Sequence, residues 1–343
     1  MGLILNPMSG RDVRRYVARA RRETPEDKRS QLERAVVGAA AGGARHFLVA
    51  RDCFRIAESA LEQLQVGARF EWLDGPLDTR ASDTARAARA MRDAGCGAVL
   101  VLGGDGTSRI VAREWPDAPL VALSTGTNNV FPVMCEPTLA GAALGLVASG
   151  ALPLAQVARR AKLVRARFAD AAQEPAVIDV ALLHGDHAGS LLPLDPARVR
   201  HLLLARAEPA AIGLSPLGGL LQPCGAEDDF GVEVRCDPER AVRRLLVPMS
   251  PGLFESAPIA GVRKVALGEP VCVRGPGVIA CDGDRLRTLE PGEDVVLRVT
   301  RDGPCVIDVP RALRCAAEQG LFEGRPIPGP GCRLDHRHGP GCC

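Results

Sequence analysis

The most constraining feature of the chain is a glycine-rich pentapeptide with a carboxylate at its centre, Gly103-Gly104-Asp105-Gly106-Thr107. An apolar run, 98–102, precedes it, and a helix-like run, 108–113, follows it. A strand, a glycine turn and a helix N-terminus form a backbone cradle for phosphate oxygens. Because a bare carboxylate in that cradle would repel a polyphosphate, Asp105 must hold a metal ion or take a proton from an attacking hydroxyl. Both roles indicate phosphoryl transfer rather than hydride transfer.

Two common phosphate-binding motifs are absent from the sequence. A P-loop requires Gly-x-x-x-x-Gly-Lys-Ser/Thr, and Lys28, Lys162 and Lys264 stand in no such loop. A dinucleotide-binding fingerprint requires Gly-x-Gly-x-x-Gly after the first strand, whereas the first strand here leads into Asn6-Pro7-Met8-Ser9-Gly10. The plainer alternative for residues 103–107, a tight strand-to-helix turn, is less favoured because a turn needs one or two glycines and no acid.

Two further polar loops follow predicted strands, one at 6–10 and one at 124–131. Asparagine occurs in the chain only in these loops, at Asn6, Asn128 and Asn129. Together with the hydroxyls of the second loop, these amides can position phosphates or a ribose without supplying charge. Asparagine also suits turns, which is the alternative explanation. We expect both loops to lie beside residues 103–107, because ligands of parallel sheets bind beyond the carboxyl ends of the strands.

The composition is that of an ordinary globular protein. The chain has 343 residues, of which 46% are hydrophobic and 24% charged, enough for two domains. A net charge of +2 and 3% aromatic residues argue against a nucleic-acid or membrane surface. No signal-peptide pattern is present, and the most apolar run, 139–157, is broken by glycines and a proline. We therefore expect a cytoplasmic protein that has no nucleic-acid partner and no stable membrane association.

Nine of the twelve cysteines are scattered singly, which favours reduced core residues over a disulfide framework. The other three lie in a tail of Gly, Pro, His and Cys at 324–343, which is expected to be disordered. The alternative for that tail is a soft-metal site built from Cys332, His336, His338, Cys342 and Cys343.

The pattern of elements changes near residue 155. Strand-like and helix-like stretches alternate before it, which predicts a parallel sheet with helices on both faces. Short β-like runs separated by Gly, Pro and Asp follow it, which predicts an all-β sandwich. The expected organisation is an α/β domain at 1–153, a sandwich-like domain at 154–309, a returning helix at 310–323 and the tail at 324–343.

One acidic turn lies in the predicted second domain, Asp282-Gly283-Asp284. A type I′ hairpin explains it, and the functional alternative is that Asp282 reaches the site and helps to hold Mg²⁺. Asp179, His184 and His187 are given no role, because single polar residues near strand ends are usually surface residues.

With these loops identified, the chain resembles the ATP-NAD kinase superfamily, and most closely its branch named after the acetoin catabolism protein X. The resemblance covers roughly residues 1–320 in motif order and domain layout. The Gly-Gly-Asp-Gly-Thr signature is matched letter for letter at 103–107. The Asn-Pro-x-Ser-Gly and Gly-Thr-x-Asn elements, shared with related lipid kinases, map onto 6–10 and 126–129. The resemblance implies an α/β domain, a β-sandwich domain and nucleotide sites in the cleft between them.

The resemblance also implies roles for individual residues. Asp105 would deprotonate the acceptor hydroxyl. The ATP phosphates would be bound by residues of the three loops, namely Asn6, Ser9, Gly10, Gly103, Gly104, Gly106, Thr107, Thr125, Gly126 and Thr127. The acceptor would be contacted by Asn128, Asn129, Ser215 and Gly218. The last two lie where NAD kinases carry Thr-Pro-Thr-Gly-Ser-Thr, and the Asn-Glu pair that grips NAD in those enzymes does not occur in this sequence.

The sequence therefore predicts a kinase that uses ATP and Mg²⁺, with the ribose 2′-hydroxyl of NAD as the first-choice acceptor. Two alternatives stay open. The shared loop elements suggest a lipid or sphingoid-base kinase, although no aromatic-edged amphipathic segment accompanies them. The third hypothesis is a non-catalytic nucleotide-binding regulator of a catabolic pathway. By analogy with the superfamily, a homodimer or homotetramer is also expected.

Overall fold

A computed structural model of the chain describes residues 1–9, 23–126 and 128–325. The strands of this part, numbered in chain order, are β1 Gly2–Leu5, β2 His46–Ala50, β3 Arg69–Leu73, β4 Val99–Gly103, β5 Pro119–Ser124, β6 Ala158–Arg160, β7 Leu163–Phe168, β8 Gln173–Ala176, β9 Asp179–Leu183, β10 Val199–Leu204, β11 Phe230–Cys236, β12 Arg243–Ser250, β13 Leu253–Ala266, β14 Val271–Arg274, β15 Gly277–Cys281, β16 Asp284–Leu289, β17 Asp294–Thr300 and β18 Cys305–Ile307. The α-helices are α1 Pro25–Ala41, α2 Ile56–Leu61, α3 Ala81–Asp93, α4 Asp105–Glu114, α5 Pro137–Ala148, α6 Leu154–Val157, α7 Ser215–Gly219 and α8 Val309–Glu318.

The first sheet has the strand order β3-β2-β1-β4-β5-β18-β6. All its neighbouring strands are parallel except β18 and β6, which are antiparallel. One face is covered by α1, α2, α5 and α8, and the other by α3 and α4. The predicted α/β domain with a parallel sheet and helices on both faces is confirmed.

Two strands of this sheet come from residues that the sequence assigns to the second domain. β18 adds to the edge of β5, where Cys305 N–H donates to the carbonyl oxygen of Ala118 at 2.9 Å, and β6 then pairs with β18. Without β18, β5 would be an open edge of the first sheet. This short apolar strand is therefore better placed here than in the sandwich. α8 follows directly, and its Ala312 and Ala316 are buried in the core of the first domain.

Helix α1 starts at Pro25, directly after a capping box. The side chain of Thr24 accepts the N–H of Asp27, and the carboxylate of Asp27 accepts the N–H of Thr24. Proline at the first helical position has no N–H to leave unsatisfied. This start places Lys28 in the first turns of the helix.

Helices α1 and α5 are in backbone-to-backbone contact. A Cβ added at Gly38 would meet the carbonyl oxygen of Thr138, and one at Gly141 would meet that of Ala35. One at Gly145 would likewise enter the backbone of α1. The glycines are therefore required by the close approach of the two helices, not by an unusual backbone conformation.

The second domain consists of two antiparallel sheets. One has seven strands in the order β12-β13-β11-β10-β9-β15-β16, and the other has four in the order β14-β17-β7-β8. The two sheets enclose an apolar core to which β7, β9, β14 and β17 contribute, and α7 packs on the outer face of the larger sheet. The predicted β-rich second domain is confirmed.

The strand order of the first sheet reverses between β1 and β4, since the chain adds β2 and β3 on one side of β1 and β4 and β5 on the other. In open parallel sheets such a switch point leaves a crevice beyond the carboxyl ends of the strands, and ligands bind there. The loops that begin at residues 6, 104 and 125 all start at this edge.

Candidate functional site

A cavity of about 580 Å³ lies at the switch point, between the first sheet and the acidic turn of the second domain. Its volume is within the range that small-molecule sites occupy. Nine of the predicted site residues line it: Asn6, Ser9, Gly104, Asp105, Gly106, Thr107, Asn128, Asn129 and Asp282. The prediction for Gly10 and Thr127 lies outside the described residues.

Asp105 is the first residue of α4, directly after the turn that ends β4. Its carboxylate accepts the backbone N–H groups of Val130, at 3.2 Å, and Phe131, at 2.8 Å. Burial raises the pKa of this carboxyl to about 6, although the two N–H groups and the Arg206 guanidinium act in the opposite direction. The group is therefore mostly ionised at neutral pH but has an affinity for protons that suits a general base.

Two glycines of the turn leave no room for a side chain. A Cβ at Gly103 would lie 2.7 Å from the Cβ of Thr107, and one at Gly104 would lie 2.7 Å from Oδ1 of Asn129. At Gly106 the nearest atom would be Asp284 Oδ2 at 3.5 Å, which is an ordinary contact. Gly103 is thus needed for packing of the turn, a side chain at Gly104 would displace the amide of Asn129, and Gly106 opens onto the cavity.

The three loops are joined by side-chain hydrogen bonds. Asn6 Nδ2 donates to Thr107 Oγ1 at 2.8 Å, and the hydroxyls of Ser9 and Thr125 lie 2.6 Å apart. In the third loop, Ser124 Oγ donates to the carbonyl oxygen of Gly126 at 2.5 Å. The predicted loops therefore form one hydrogen-bonded frame around the phosphate cradle.

Asp282 fixes the backbone of residues 177–179 by hydrogen bonds. Its carboxylate accepts the backbone N–H groups of Val177 and Ile178, both at 2.8 Å, and of Asp179, at 3.2 Å. Asp282 and Gly283 both have positive φ, 48° and 82°, as the predicted type I′ hairpin requires. Burial and the nearby charge of Asp105 raise the pKa of Asp282 to about 7.

Asp179, for which the sequence analysis predicts no role, belongs to the same acidic cluster. The residue is buried, and Oδ1 of its carboxyl has no hydrogen-bond partner among the described residues. Burial and the charges of Asp282 and Asp105 raise its pKa well above the ordinary value. No motif could have indicated this, because Asp179 enters the cluster through strand pairing and not through a local pattern.

Arg109 connects the two domains beside this cluster. It is a buried residue of α4, and its Nη2 donates to Asp284 Oδ2 at 2.7 Å. Its other guanidinium nitrogens lie 3.7 Å from Glu174 and 4.0 Å from Asp282. The ion pairs hold the acidic turn against the helix that carries Asp105.

No group of three or more His, Cys, Asp or Glu side chains in the described ranges is arranged to hold a metal ion. The predicted metal ligand Asp282 already uses both oxygens to bind backbone N–H groups. Mg²⁺ is usually held by one or two carboxylates together with substrate phosphates. The described residues therefore form no dedicated Mg²⁺ cage. Asp282 as a ligand of Mg²⁺ stays a prediction, since its Oδ2 accepts only the N–H of Val177 and has a second lone pair.

The two acceptor residues predicted in the second domain lie away from the cavity. Ser215 is buried in α7, where its hydroxyl donates to the carbonyl oxygen of Arg206 and accepts the N–H of Glu208, both at 2.9 Å. A Cβ at Gly218 would run into the side chain of Leu204. These residues are needed for packing of α7 on the sheet, so their assignment to acceptor binding is corrected.

Two features of the site were not predicted from the sequence. Arg51, Thr79 and Arg80 line the cavity, the first directly after β2 and the other two directly before α3. The two arginines add positive charge, although Arg51 is also paired with Glu58. Lys28, which is completely buried, donates from Nζ to main-chain carbonyl oxygens of the Asn6–Ser9 loop. The chain's marked preference for arginine over lysine is the one sequence signal that could have drawn attention to Lys28.

None of the helices in the described part of the chain is both long and apolar enough to cross a membrane.

Comparisons with known proteins agree with this architecture. Residues 25–151 match the ATP-NAD kinase N-terminal domain, and residues 162–302 match the acetoin catabolism protein X C-terminal domain. The acetoin catabolism protein X of Cupriavidus necator is 33% identical over 341 residues, which are 96% of this chain and 95% of that protein.

Among solved structures, yeast NADH kinase complexed with NADH superposes with a TM-score of 0.52 at 12% identity, over 94% of this chain and 87% of that one. A diacylglycerol kinase from Bacillus anthracis str. Sterne gives a TM-score of 0.43 at 10% identity, over 89% and 95% of the two chains. The fold is thus that of the NAD kinases.

Proposed function

The chain belongs to the acetoin catabolism protein X family, and from that premise we propose that it transfers the γ-phosphoryl group of ATP to a hydroxyl group. The proposed acceptor is the ribose 2′-hydroxyl of NAD(H) or a related small alcohol. The match of residues 25–151 to the ATP-NAD kinase N-terminal domain supports this choice of donor and acceptor.

The observation that carries the proposal is the position of the Asp105 carboxyl. It lies on the wall of the cavity at the N-terminus of α4, next to a glycine turn that can accept phosphates. In the transfer, the acceptor oxygen bonds to the γ-phosphorus while the bond from that phosphorus to the β,γ-bridging oxygen breaks, and ADP leaves. The acceptor's proton passes to Asp105. Since each carboxylate oxygen has two lone pairs, Asp105 can keep its bonds to the 130–131 loop while it accepts the proton.

The rest of the frame would orient the phosphates. The first-turn N–H groups of α4 and the hydroxyls of Ser9 and Thr107 supply donors, and Arg51 and Arg80 supply positive charge at the rim. Thr125 is buried and acts only through its contact with the hydroxyl of Ser9. When bound, Mg²⁺ would neutralise charge on the triphosphate. None of the residues that line the described part of the cavity is aromatic, so base recognition would rest on aliphatic contacts and hydrogen bonds.

An acceptor screen tests the proposal. Purified protein is incubated with ATP, Mg²⁺ and, separately, NAD, NADH, diacylglycerol, small polyols and hydroxyketones, and ADP and phosphorylated product are measured by mass spectrometry. We expect product with NAD or NADH, and none with the Asp105→Asn variant, although that variant still binds ATP. An Asp105→Asn enzyme with near-native turnover would remove Asp105 from the mechanism. Product with diacylglycerol alone would favour the lipid-kinase alternative.

A non-catalytic nucleotide-binding regulator is the second candidate, and one observation favours it. The N–H groups of Val130 and Phe131 occupy the Asp105 carboxylate, so this acid also anchors the loop above the cavity. ATP binding by the wild-type protein without phosphorylation of any acceptor in the screen would support this candidate over the kinase.

A further inference from the structure

Lys28 is a buried cation with an unusual set of partners. Lysine is almost never fully buried unless it is paired, and Lys28 has 0% of its surface exposed. Its Nζ donates to the main-chain carbonyl oxygens of Asn6, at 2.9 Å, Pro7, at 2.8 Å, and Ser9, at 2.6 Å. The loop after β1 is therefore folded around a single ammonium group.

This arrangement determines where the polar groups of the loop point. With three carbonyl oxygens turned toward Lys28, the side chain of Asn6 is left to accept the N–H of Ser9 and to donate to Thr107 of the glycine turn. The hydroxyl of Ser9 then meets that of Thr125. A change at Lys28 is therefore transmitted to all three loops of the phosphate cradle.

The helix that carries Lys28 gives it a fixed base. α1 begins at the capping box described above, three residues before Lys28, and its other end packs closely on α5. The ammonium thus projects from a capped helix into residues 6–9, which form turns. This is the geometry of a side chain that positions a loop.

We infer that Lys28 is a positioning residue for polyphosphate binding: its ammonium holds the Asn6–Ser9 loop in the shape that binds the phosphates of the nucleotide. The inference rests on the proposed function only in that the cavity binds a polyphosphate, and not on catalysis.

The test compares two lysine-to-methionine variants. Lys28→Met removes the ammonium with little change in side-chain length. Lys162→Met is the matched control, because Lys162 is also buried, with its Nζ 2.8 Å from the carbonyl oxygen of Phe230 and 3.1 Å from Cys224 Sγ. Neither of these partners lines the cavity, whereas the three residues that Lys28 binds do. Affinity for ATP and for inorganic tripolyphosphate is measured by titration calorimetry, and thermal stability by scanning calorimetry.

We expect both variants to melt at lower temperature, since each loses charge-assisted hydrogen bonds from a buried ammonium to main-chain carbonyl oxygens. Only Lys28→Met should lose affinity for ATP and tripolyphosphate, by about tenfold or more, because the displaced loop would lose about one hydrogen bond to the phosphates. Lys28→Gln, which keeps a donor without the charge, should lie between wild type and methionine. Equal affinities in wild type and Lys28→Met would overturn the inference, and so would an equal loss in Lys162→Met.

A measurement on the wild type covers the case in which Lys28→Met does not fold. The chain has three lysines, so ¹⁵N labelling of lysine gives a simple spectrum of ammonium groups. The Lys28 signal should shift on saturation with tripolyphosphate while that of Lys162 stays in place, and an unmoved Lys28 signal would count against the inference. A wild type that binds tripolyphosphate but phosphorylates no acceptor contradicts the proposed function alone. A wild type that binds neither ATP nor tripolyphosphate overturns both.

Discussion

Replacing Asp105 by asparagine is expected to stabilise the folded protein at alkaline pH. Burial raises the pKa of this carboxyl from 3.8 to about 6 in the folded chain. An acid whose pKa is raised by folding contributes stability below its unfolded pKa, and that stability is lost as the pH rises through the folded value. The difference of about two pKa units corresponds to about 3 kcal/mol lost between pH 4 and pH 7.

Asparagine removes this cost because it does not ionise. It also weakens the bonds from Val130 and Phe131, since an amide offers one acceptor oxygen where the carboxylate offers two, at a cost of about 1–2 kcal/mol. The net expectation is a gain of about 1–2 kcal/mol at pH 8 and a loss of similar size at pH 4. The charge of Asp105 also raises the pKa of Asp282, so its removal acts in the same direction at alkaline pH.

Urea unfolding of wild type and Asp105→Asn at pH 4, 6 and 8, followed by circular dichroism, measures this difference. The two stability curves should cross between pH 4 and pH 8. A variant that is less stable than wild type by the same amount at every pH would refute the reasoning, because it would mean that Asp105 is ionised at no cost. Testing Asp105→Asn in the acceptor screen would then show whether the stability lost by ionising Asp105 is linked to activity, as it is at many catalytic sites.

Three further outcomes are expected. If Asp105 is the base, kcat/KM rises with pH through an apparent pKa near 6, and a flat profile from pH 5 to pH 8 would contradict that role. Gly141→Ala should lower the free energy of unfolding by about 2 kcal/mol or more, because the new methyl enters the backbone of α1, whereas Gly261→Ala, with open space at that position, should be close to neutral in the same urea titration. Burial alone would raise the pKa of Glu233, but hydrogen bonds from a histidine and an arginine lower it to about 2. The stability it contributes is therefore lost as pH falls from about 4.5 toward 2, and Glu233→Gln should flatten acid unfolding in that window; an unchanged acid transition would argue against the ion-pair network.

The loops that form the cradle could be predicted from sequence because their requirements are local. At Gly103 a side chain would overlap Thr107, four residues away, and at Gly104 it would meet the side chain of Asn129 in the adjoining loop. Asp105 must follow the turn to lie at the helix start. The parallel sheet brings such loops to one edge whatever the rest of the chain does. Alternation of strands and helices therefore sufficed to place Asn6, Asp105 and Asn129 together.

The parts that were missed depend on contacts between residues far apart in the chain. Lys28 is buried because a loop around twenty residues away closes over it, and helical periodicity gives no sign of that. Asp179 enters the acidic cluster through the pairing of β9 with β15. Ser215 and Gly218 were assigned by motif resemblance, but the apolar surface of the larger sheet attracts α7 into packing instead. In each case tertiary packing decided what local pattern left open.

The return of residues 305–318 to the first sheet has a consequence for synthesis on the ribosome. The half of the protein that emerges first ends with β5 uncovered, and the segment that covers it is made only after all strands of the two antiparallel sheets. A nascent chain of about 150 residues therefore exposes a hydrogen-bonding edge and an apolar helix face for as long as translation of the remainder takes, at roughly 5–20 residues per second. Expression of the amino-terminal half by itself would leave that edge permanently open to pairing with other copies.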